Sequence, residues 1–561
     1  METPTPGVRP NILIIITDQQ RAAMHFPEGW EEKFLPSMNL LRKHGVEFTQ
    51  AFCNSCMCTP SRSTLFTSLY PAQHGCTDTL SFGGKYSITE PTLDPTLPNM
   101  AKMLRPYYDV HYRGKWHLSK GGMNTVHPEK SLMRAEVAQF GFEGWVAPDA
   151  GEDIALPNFG AGYADHDTLY VQQAIDFVRQ YKADIAAGKP RKPWAMVVSL
   201  VNPHDVLAFP NTYEAGGYDP TWAEGNICLP ATVNEDLMQN WKPAAQWQLK
   251  FMLAASLGNL SGNPNGELCG NSQSNQYLNF YANLMALIDR QIGTLMGEFY
   301  EPLGNGEFGA PNDLAMNTVM VRLSDHGEMG LAHGGLRQKA FNAYEETLRV
   351  PYIFSNPAFI NNTGKPKVTH QLASLIDITP TLAGLVGIDV SAQGFKGRDL
   401  SSVVLAPETA PTVQESILFT FDDVKSGNKS TGQTVYAADR LRCVRTKDWK
   451  YVMYFDANGS YVQEYELYYL KGITEGDMHP GSDPNDPLDM ALKGQPYEYV
   501  NLYYDQNPLV QKLPDAAKQQ IAKAKAEMEA LLQTRIADIK KGTEINIRKK
   551  LGLIPTPEPT N

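Results

Sequence analysis

The sequence predicts an α/β fold with a large, mostly parallel central sheet flanked by helices, and a smaller C-terminal domain of antiparallel sheet plus helix. Three observations lead to this prediction. Apolar, strand-like runs alternate with helical patterns over most of the chain, short alternating strands follow beyond residue 410, and a long amphipathic pattern comes near the end. Strands that alternate with helices favour parallel pairing with helices on both faces of the sheet.

The predicted strands of the central sheet are apolar runs that each lead into polar residues. The first covers residues 11–17 and leads into Asp18 and Gln19. The other runs, each given with the residues that follow it, are 108–112 before Lys115 and His117, 194–201 before His204, and 318–323 before Asp325 and His326. Because ligands bind outside the carboxyl ends of parallel strands, a single pocket is expected to collect these side chains.

The remaining elements define the predicted domains. Helical patterns are predicted at residues 31–43, 97–104, 168–181 and 278–299, and a helix pair around Pro380 at 370–387. Residues 205–274 are rich in Gly, Pro, Asn and Trp and are predicted to form an insertion near the pocket, with a helical piece at 246–257. Strands at 417–421, 441–445, 451–455 and 465–469 and a helix at 515–539 indicate a second domain. The predicted boundaries are 1–405 for the catalytic domain, 406–545 for the C-terminal domain and 546–561 for a tail.

The composition of the 561-residue chain limits its partners. Its net charge of -12 and pI of about 5.5 argue against nucleic acid and anionic membranes, since either would require a basic face. The longest early apolar run, residues 12–16, is too short for a signal peptide or a membrane span. These features predict a cytoplasmic protein, or a periplasmic one if a leader has been removed. The insertion and the long C-terminal helix leave a homo-oligomer open.

Cysteine usage draws attention to one segment. Seven cysteines without framework spacing are expected of a reducing compartment. Cys53, Cys56 and Cys58 lie close together, which leaves a zinc or iron–sulfur cluster open, although no second Cys-x-x-Cys follows. Cys58 also begins the run Cys-Thr-Pro-Ser-Arg, and Pro60 suits the first turn of a helix predicted at 61–70. A helix N-terminus at Cys58 would favour an anionic ester, and Arg62 adds a fixed positive charge.

The residues after the four strands fit the requirements of ester cleavage, which are a nucleophile, positive charge and a proton donor. Asp18, Gln19, Asp325 and His326 form a ligand set rich in oxygen, which suits Ca²⁺, with Mn²⁺ or Mg²⁺ as alternatives.

Positive charge and a proton donor are available from four further residues. Lys115 and His117 stand two apart, so on an extended strand end both point to the same side. His204 is the candidate acid for the leaving group because its charge changes near neutral pH. Lys339, after the Gly334-Gly335 turn, is a further candidate cation.

The run from Cys58 to Arg62 resembles the C-x-P-S-R signature of the sulfatase family in the alkaline phosphatase superfamily. Further matches are Asp18-Gln19, Gly-Lys-Trp-His-Leu at 114–118, Pro203-His204, Asp-His-Gly-Glu at 325–328, Lys339 and Tyr-Glu-Leu-Tyr at 465–468. The resemblance implies an alkaline phosphatase-like fold and a sulfuric ester hydrolase, in which a maturation enzyme oxidises Cys58 to formylglycine, the nucleophile. It also implies that residue 58 binds the cation with Asp18, Gln19, Asp325 and His326, and that charge and proton roles fall to Arg62, Lys115, His117, His204 and Lys339.

The resemblance leaves the substrate open. The Asp-Gln and Asp-His pairs are similar to those of choline sulfatases and phosphonate monoester hydrolases. A phosphonate monoester hydrolase or phosphodiesterase is therefore the alternative to a sulfatase that acts on small aryl or alkyl sulfates. The aromatic residues Phe209, Trp222 and Trp241 leave open a cage for a choline group. A third hypothesis is a catalytically silent binding protein, although no catalytic position is missing.

Overall fold

The computed structural model describes residues 9–81, 90–120, 134–149, 163–304, 306–426 and 435–550. A seven-stranded sheet lies at its centre. In chain order its strands are β1 (Asn11–Asp18), β2 (Gly45–Phe48), β3 (Asp109–Gly114), β4 (Trp194–Pro203), β5 (Thr318–Ser324), β6 (Tyr352–Ser355) and β7 (Lys367–Thr369). Their order across the sheet is β7-β2-β6-β5-β1-β4-β3, and only β6 runs antiparallel to its neighbours. The predicted mostly parallel sheet is confirmed.

The central strand β1 is apolar along its whole length because both of its faces are covered. Ile12, Ile14 and Ile16 belong to one hydrophobic cluster, whereas Leu13 and Ile15 belong to the cluster on the other face. The register of β1 with its neighbours places Thr17 opposite Ser324 of β5 and Asp18 opposite Pro203 of β4. The carboxyl ends of the three strands are therefore level with one another.

Helices cover the sheet and fill the connections. Up to residue 405 the described helices are Trp30–Phe34, Pro36–Lys43, Cys58–Thr67, Pro71–His74, Met100–Leu104, Arg134–Ala138, Tyr163–Ala186, Ala244–Leu257, Gln273–Met296, Asp313–Met316, Ala332–Gly335, Glu345–Leu348, Ile378–Leu385 and Ser401–Leu405. Single-turn 3₁₀ segments lie at His204–Ala208, Pro220–Ala223, Pro264–Gly266 and Leu375–Asp377, and two small strand pairs join Ala51–Phe52 to Ala373–Ser374 and Tyr300–Gly304 to Glu307–Pro311.

Two of the predicted helices are wrong in form. The single helix expected at 31–43 is divided, because Pro36 starts a new helix and the preceding Leu35 has a non-helical backbone. The helix pair expected at 370–387 is a short strand, a 3₁₀ turn and one helix, Ile378–Leu385. Pro380 lies in the first turn of that helix, where a missing N–H breaks no hydrogen bond.

The C-terminal part of the chain contains the predicted antiparallel sheet and long helix. Its strands are β8 (Ile417–Phe421), β9 (Arg440–Arg445), β10 (Trp449–Phe455) and β11 (Glu464–Tyr469), and its helices are Pro487–Leu492, Pro508–Gln511 and Asp515–Lys550. Leu418, Val444 and Leu467 of the sheet share a buried cluster with Ile521 and Leu532 of the last helix. The domain boundaries themselves stay predictions. Among the described residues, no helix has the length and apolarity needed to cross a membrane.

One disulfide joins Cys228 to Cys269 across the insertion, while the other five cysteines are buried and free. The sequence did not reveal this pair. Because disulfides are typical of oxidising compartments, this pairing removes the support that the cysteines gave to a reducing compartment. The cytoplasmic location stays a prediction.

Candidate active site

Cys58 is the first residue of its helix. The helix covers Cys58–Thr67, three residues earlier than predicted at both ends, because it starts directly after the extended Met57 and stops where Ser68 has a left-handed φ of 51°. All ten residues of the helix are buried. The first backbone N–H groups of the helix lie beside residue 58, as the sequence predicts.

In both Asp18 and Asp325, one carboxylate oxygen contacts Arg62 and the other contacts His326. The Oδ2 atoms accept hydrogen bonds from Arg62, at 3.0 Å for Asp18 and 2.8 Å for Asp325. The Oδ1 atoms both lie 3.6 Å from Nε2 of His326. The sulfur of Cys58 completes this side of the cluster, 3.7 Å from Asp18 Oδ1 and 3.2 Å from His326 Nε2.

The two Oδ1 atoms, the His326 nitrogen and the Cys58 sulfur together fit a metal ion. One ligand atom from each of Asp18, Cys58, Asp325 and His326 lies within 4.8 Å of the others, and all four residues are buried. Two carboxylate oxygens and an imidazole nitrogen suit a hard or borderline divalent cation. The group includes neither Cys53 nor Cys56, so the ligands are not those of a cysteine cluster.

Arg62 holds the two carboxylates in place. Its side chain is fully buried, and besides Asp18 and Asp325 it donates to Ser199 Oγ at 2.7 Å and to the backbone oxygen of Lys115 at 3.2 Å. Ser199 was not predicted as part of the site. Its signal in the sequence is that it is the only polar side chain in the apolar run from Trp194 to Val201.

Lys115 and His117 reach different parts of the site. Lys115 Nζ lies 2.7 Å from Asp18 Oδ2 and 3.9 Å from the sulfur of Cys58. His117 has a left-handed φ of 53°, so the extended geometry expected for this pair is absent. Its Nε2 lies 2.8 Å from the backbone oxygen of Leu80, and its own backbone oxygen accepts a hydrogen bond from Thr59, next to Cys58.

Gln19 and Lys339 are hydrogen-bonded to each other next to Asp325. The backbone of Gln19 is left-handed, with φ of 67°, and its N–H donates to Asp325 Oδ1 at 3.2 Å. Its side-chain oxygen accepts a hydrogen bond from Lys339, and its amide nitrogen donates to Glu328 at 2.5 Å. Gln19 therefore connects Lys339 to the cluster. Glu328, from the Asp-His-Gly-Glu run, holds the Gln19 side chain through this second hydrogen bond.

His204 follows β4 and is buried beside Asp205. Its Nδ1 has no hydrogen-bond partner and lies 3.8 Å from Asp205 Oδ1, whose other oxygen accepts a 2.5 Å hydrogen bond from Tyr218. Tyr218 also bonds to Asn202, so the insertion fixes the carboxylate next to His204. Neither Asp205 nor Tyr218 was predicted as a site residue.

Burial and charge act against each other at this site. Burial raises the pKa of Asp18, but Lys115, His204 and Arg62 together bring it well below its usual value. Burial, with repulsion from Asp18, raises the pKa of Asp325 to about 6.

The thiol and the histidine next to the carboxylates are also shifted. Burial and Asp18 raise the pKa of the Cys58 thiol, yet Lys115, Lys339 and His326 hold it well below its usual value. Burial and the charge of Lys115 lower the pKa of His204 far below 6.5. The charges of both lysines thus act on His204 as well as on residue 58.

The aromatic residues considered for a choline cage each pack on a tyrosine, although Trp241 is exposed. Phe209 is 3% exposed and packs on Tyr213, with 5.1 Å between ring centroids. Trp222 packs on Tyr218 at 5.4 Å, and Trp241 packs on Tyr504 at 5.3 Å. The cage hypothesis has no support among these contacts.

Comparison with known proteins identifies the family. The sequence profile of the family described as Sulfatase matches residues 10–388, which is more than half of the chain. The chain belongs to the sulfatase family. An ulvan-active sulfatase from Formosa agariphila is 26% identical over 463 residues, covering 80% of this chain and 75% of that protein. Human arylsulfatase K is 20% identical over 488 residues, covering 86% and 79%.

Solved structures agree with this fold. A 2-O GAG sulfatase superposes with a TM-score of 0.62 at 19% identity, covering 95% of this chain and 93% of that one. A phosphonate monoester hydrolase from Silicibacter pomeroyi superposes with a TM-score of 0.59 at 18% identity, covering 94% and 96%. The expected alkaline phosphatase-like fold and sulfatase class are confirmed.

Proposed function

We propose that this sulfatase hydrolyses sulfate monoesters with formylglycine, made from Cys58 by a maturation enzyme, as its nucleophile. The observation that carries the proposal is the position of residue 58 at the start of a buried helix, within contact of Asp18, His326 and Lys115. Hydrated formylglycine supplies a geminal diol, of which one hydroxyl attacks the ester and the other expels the product. Small aryl or alkyl sulfates are suitable first substrates.

A divalent cation belongs in this proposal, with Ca²⁺ preferred and Mn²⁺ or Mg²⁺ as alternatives. Asp18, Asp325 and His326 would hold it together with residue 58, and it would supply positive charge near the ester oxygens. Gln19 was predicted as a further ligand. Since its side-chain oxygen accepts from Lys339, the structure supports an alternative role for Gln19, which is to orient Lys339.

The side chains around residue 58 divide the remaining tasks. Lys115 and Lys339 bind the sulfate oxygens and neutralise charge that grows in the transition state; one such donor is worth roughly 3 kcal/mol. Arg62 joins the two carboxylates through its guanidinium and so fixes their orientation. His117 accepts or returns a proton at residue 58 in this proposal, as the family resemblance implies.

His204 is the proposed proton donor to the leaving oxygen, and the free site opposes that role. Burial and Lys115 favour its neutral form. An anionic ester bound between Lys115 and Lys339 adds negative charge nearby, which raises the pKa of His204. Burial raises the pKa of Asp205 well above its usual value. In its ionised form Asp205, 3.8 Å from Nδ1, would stabilise the protonated ring from its other side. Protonation of His204 is then coupled to substrate binding.

The experiment compares kcat/KM for 4-nitrophenyl sulfate and for a matched phosphonate monoester, using protein matured in the presence of the oxidising enzyme. The wild-type chain is expected to prefer the sulfate ester, and Cys58→Ala is expected to lose roughly 10⁴-fold or more. Cys443→Ala, a buried free cysteine of β9, is the matched control and keeps its activity. A preference for the phosphonate ester would favour the hydrolase alternative, and an active Cys58→Ala chain would overturn the proposal.

A further inference from the structure

The insertion forms a second cleft, separate from the cluster around residue 58. Its volume is about 470 Å³, and it lies between the helix Ala244–Leu257, the loop of residues 258–267 and the turn that contains Gly334 and Gly335. A cavity of this size accommodates a sugar unit or another small ligand. The established family and the proposed reaction assign it no role.

Two positive side chains line this cleft. Arg337 is 6% exposed, and its Nη2 donates to the backbone oxygens of Leu253 and Gly258, whereas its Nη1 is buried without a hydrogen-bond partner. A buried guanidinium nitrogen without an acceptor costs free energy that a ligand oxygen would recover.

Lys250 is the second cation. It lies on the neighbouring helix, and a Cβ built on Gly335 would be 3.9 Å from its Nζ, so its ammonium group faces the same turn as Arg337. Burial lowers the pKa of Lys250, and the negative charge of Asp236 offsets part of this shift. Lys250 and Arg337 give the cleft two cations against one lining carboxylate, Glu267, and this balance favours an anionic ligand.

The rest of the lining suits a sugar ring. Phe251 lies at the cleft with 66% of its surface exposed, which offers an apolar face to a ring. Asn234 and Asn263 add amide groups, and both bond to the backbone of the loop at 3.2 Å and 3.0 Å. The Cys228–Cys269 disulfide anchors the chain directly after this loop to the start of the insertion's central segment. The cleft is therefore preformed, which lowers the entropic cost of binding.

The cleft is connected to the candidate active site through one wall. The guanidinium of Arg337 lies 5.9 Å from the ring centroid of Tyr277, whose hydroxyl donates to Glu328 at 2.6 Å. Glu328 in turn accepts from Gln19. A ligand that contacts Arg337 is therefore separated from Gln19 by two side chains, Tyr277 and Glu328.

We infer that this cleft binds an anionic sugar unit, sulfated or carboxylated, with Lys250 and Arg337 contacting the anion and Phe251 the ring. The inference depends on the proposed function in one respect, which is that the substrate would be a sulfated carbohydrate. Binding of a sugar in the cleft does not itself require catalysis. The relatives include an ulvan-active sulfatase and a 2-O GAG sulfatase, and sulfated sugars are the compounds that such a cleft would recognise.

The test uses a probe without a sulfate ester, so that the candidate active site is not needed. Isothermal titration of the full chain with methyl glucuronide measures the dissociation constant in the wild type, Lys250→Gln and Phe251→Ala. Each variant is expected to weaken binding at least about tenfold, which corresponds to ~1.4 kcal/mol. Lys518→Gln, on the exposed face of the C-terminal helix, is the matched control and binds like the wild type.

Several results would overturn the inference. These are no binding to the wild-type chain, unchanged binding by Lys250→Gln, equal binding of uncharged methyl glucoside, or equal binding of inorganic sulfate without the sugar. Hydrolysis of 4-nitrophenyl sulfate is measured in parallel. It should depend on Cys58 and not on Lys250, so loss of the cleft proposal and loss of the proposed function give different results.

Discussion

The replacement Arg62→Met tests how the candidate site is held together. It removes the guanidinium that joins Asp18 to Asp325 and leaves two buried carboxylates on the same side of the cluster. Lys115 still pairs with Asp18, so the loss falls mainly on Asp325. Losing one partner of a buried ion pair costs roughly 3–5 kcal/mol, because the remaining charge is uncompensated. Unfolding entropy is about 2.1 cal/mol/K per residue, so a 561-residue chain that unfolds as one unit has ~1.2 kcal/mol/K. The expected decrease in Tm is therefore about 3–4 °C.

The assay is differential scanning calorimetry of the chelator-treated protein, so that no cation screens the two carboxylates. Arg42→Met is the matched control, because Arg42 also joins two carboxylates, Glu31 and Glu47, but with 13% of its side chain exposed. Water compensates part of that loss, so the decrease in Tm is expected to be smaller. A Tm equal to that of the wild type, or a decrease no larger than that of Arg42→Met, would refute the reasoning.

Three further changes test other parts of the account. Asp205→Asn should reduce kcat/KM for alkyl sulfates roughly tenfold and barely affect 4-nitrophenyl sulfate, because His204 matters most for poor leaving groups; equal losses would contradict this. Burial lowers the pKa of His74 to about 3, below its unfolded value of about 6.5, so the free energy of unfolding should decrease as pH falls between these values. His74→Gln should make the free energy of unfolding, measured by urea titration, depend less on pH. An unchanged pH dependence would contradict the role given to His74. Gly114→Ala makes the new Cβ clash with the backbone oxygen of Ser199 in β4, so it should lower Tm more than Gly188→Ala. Gly188 also has a left-handed φ, but open space surrounds its Cβ position. Equal decreases in Tm would be inconsistent with the clash.

The strand ends of the site could be predicted from the sequence because burial on both faces of the sheet leaves a continuous apolar run. The runs before Asp18, His204 and Asp325 all form strands of the central sheet, and their ends meet as expected. Cys58 could be placed at a helix N-terminus because the preference of Pro60 for the first turn is a local effect. Local pattern therefore sufficed for the position of the cluster.

Contacts between distant segments were outside the reach of these patterns. The hydrogen bond of Arg62 to Ser199 joins residues 137 positions apart, and the disulfide joins Cys228 to Cys269 across the insertion. The left-handed backbone at Gln19 and His117 changes the directions of both side chains. The residue types Gln and His do not predict this conformation. Tertiary packing decided each of these features.

The most direct test of the central claim is mass spectrometry of the peptide that contains residue 58, taken from active protein. The claim is that activity requires formylglycine at this position. The predicted result is that the peptide carries the formylglycine mass, and that the modified fraction rises in proportion to kcat across preparations made with different amounts of maturation enzyme. Full activity in protein whose residue 58 is entirely unmodified cysteine would contradict the claim.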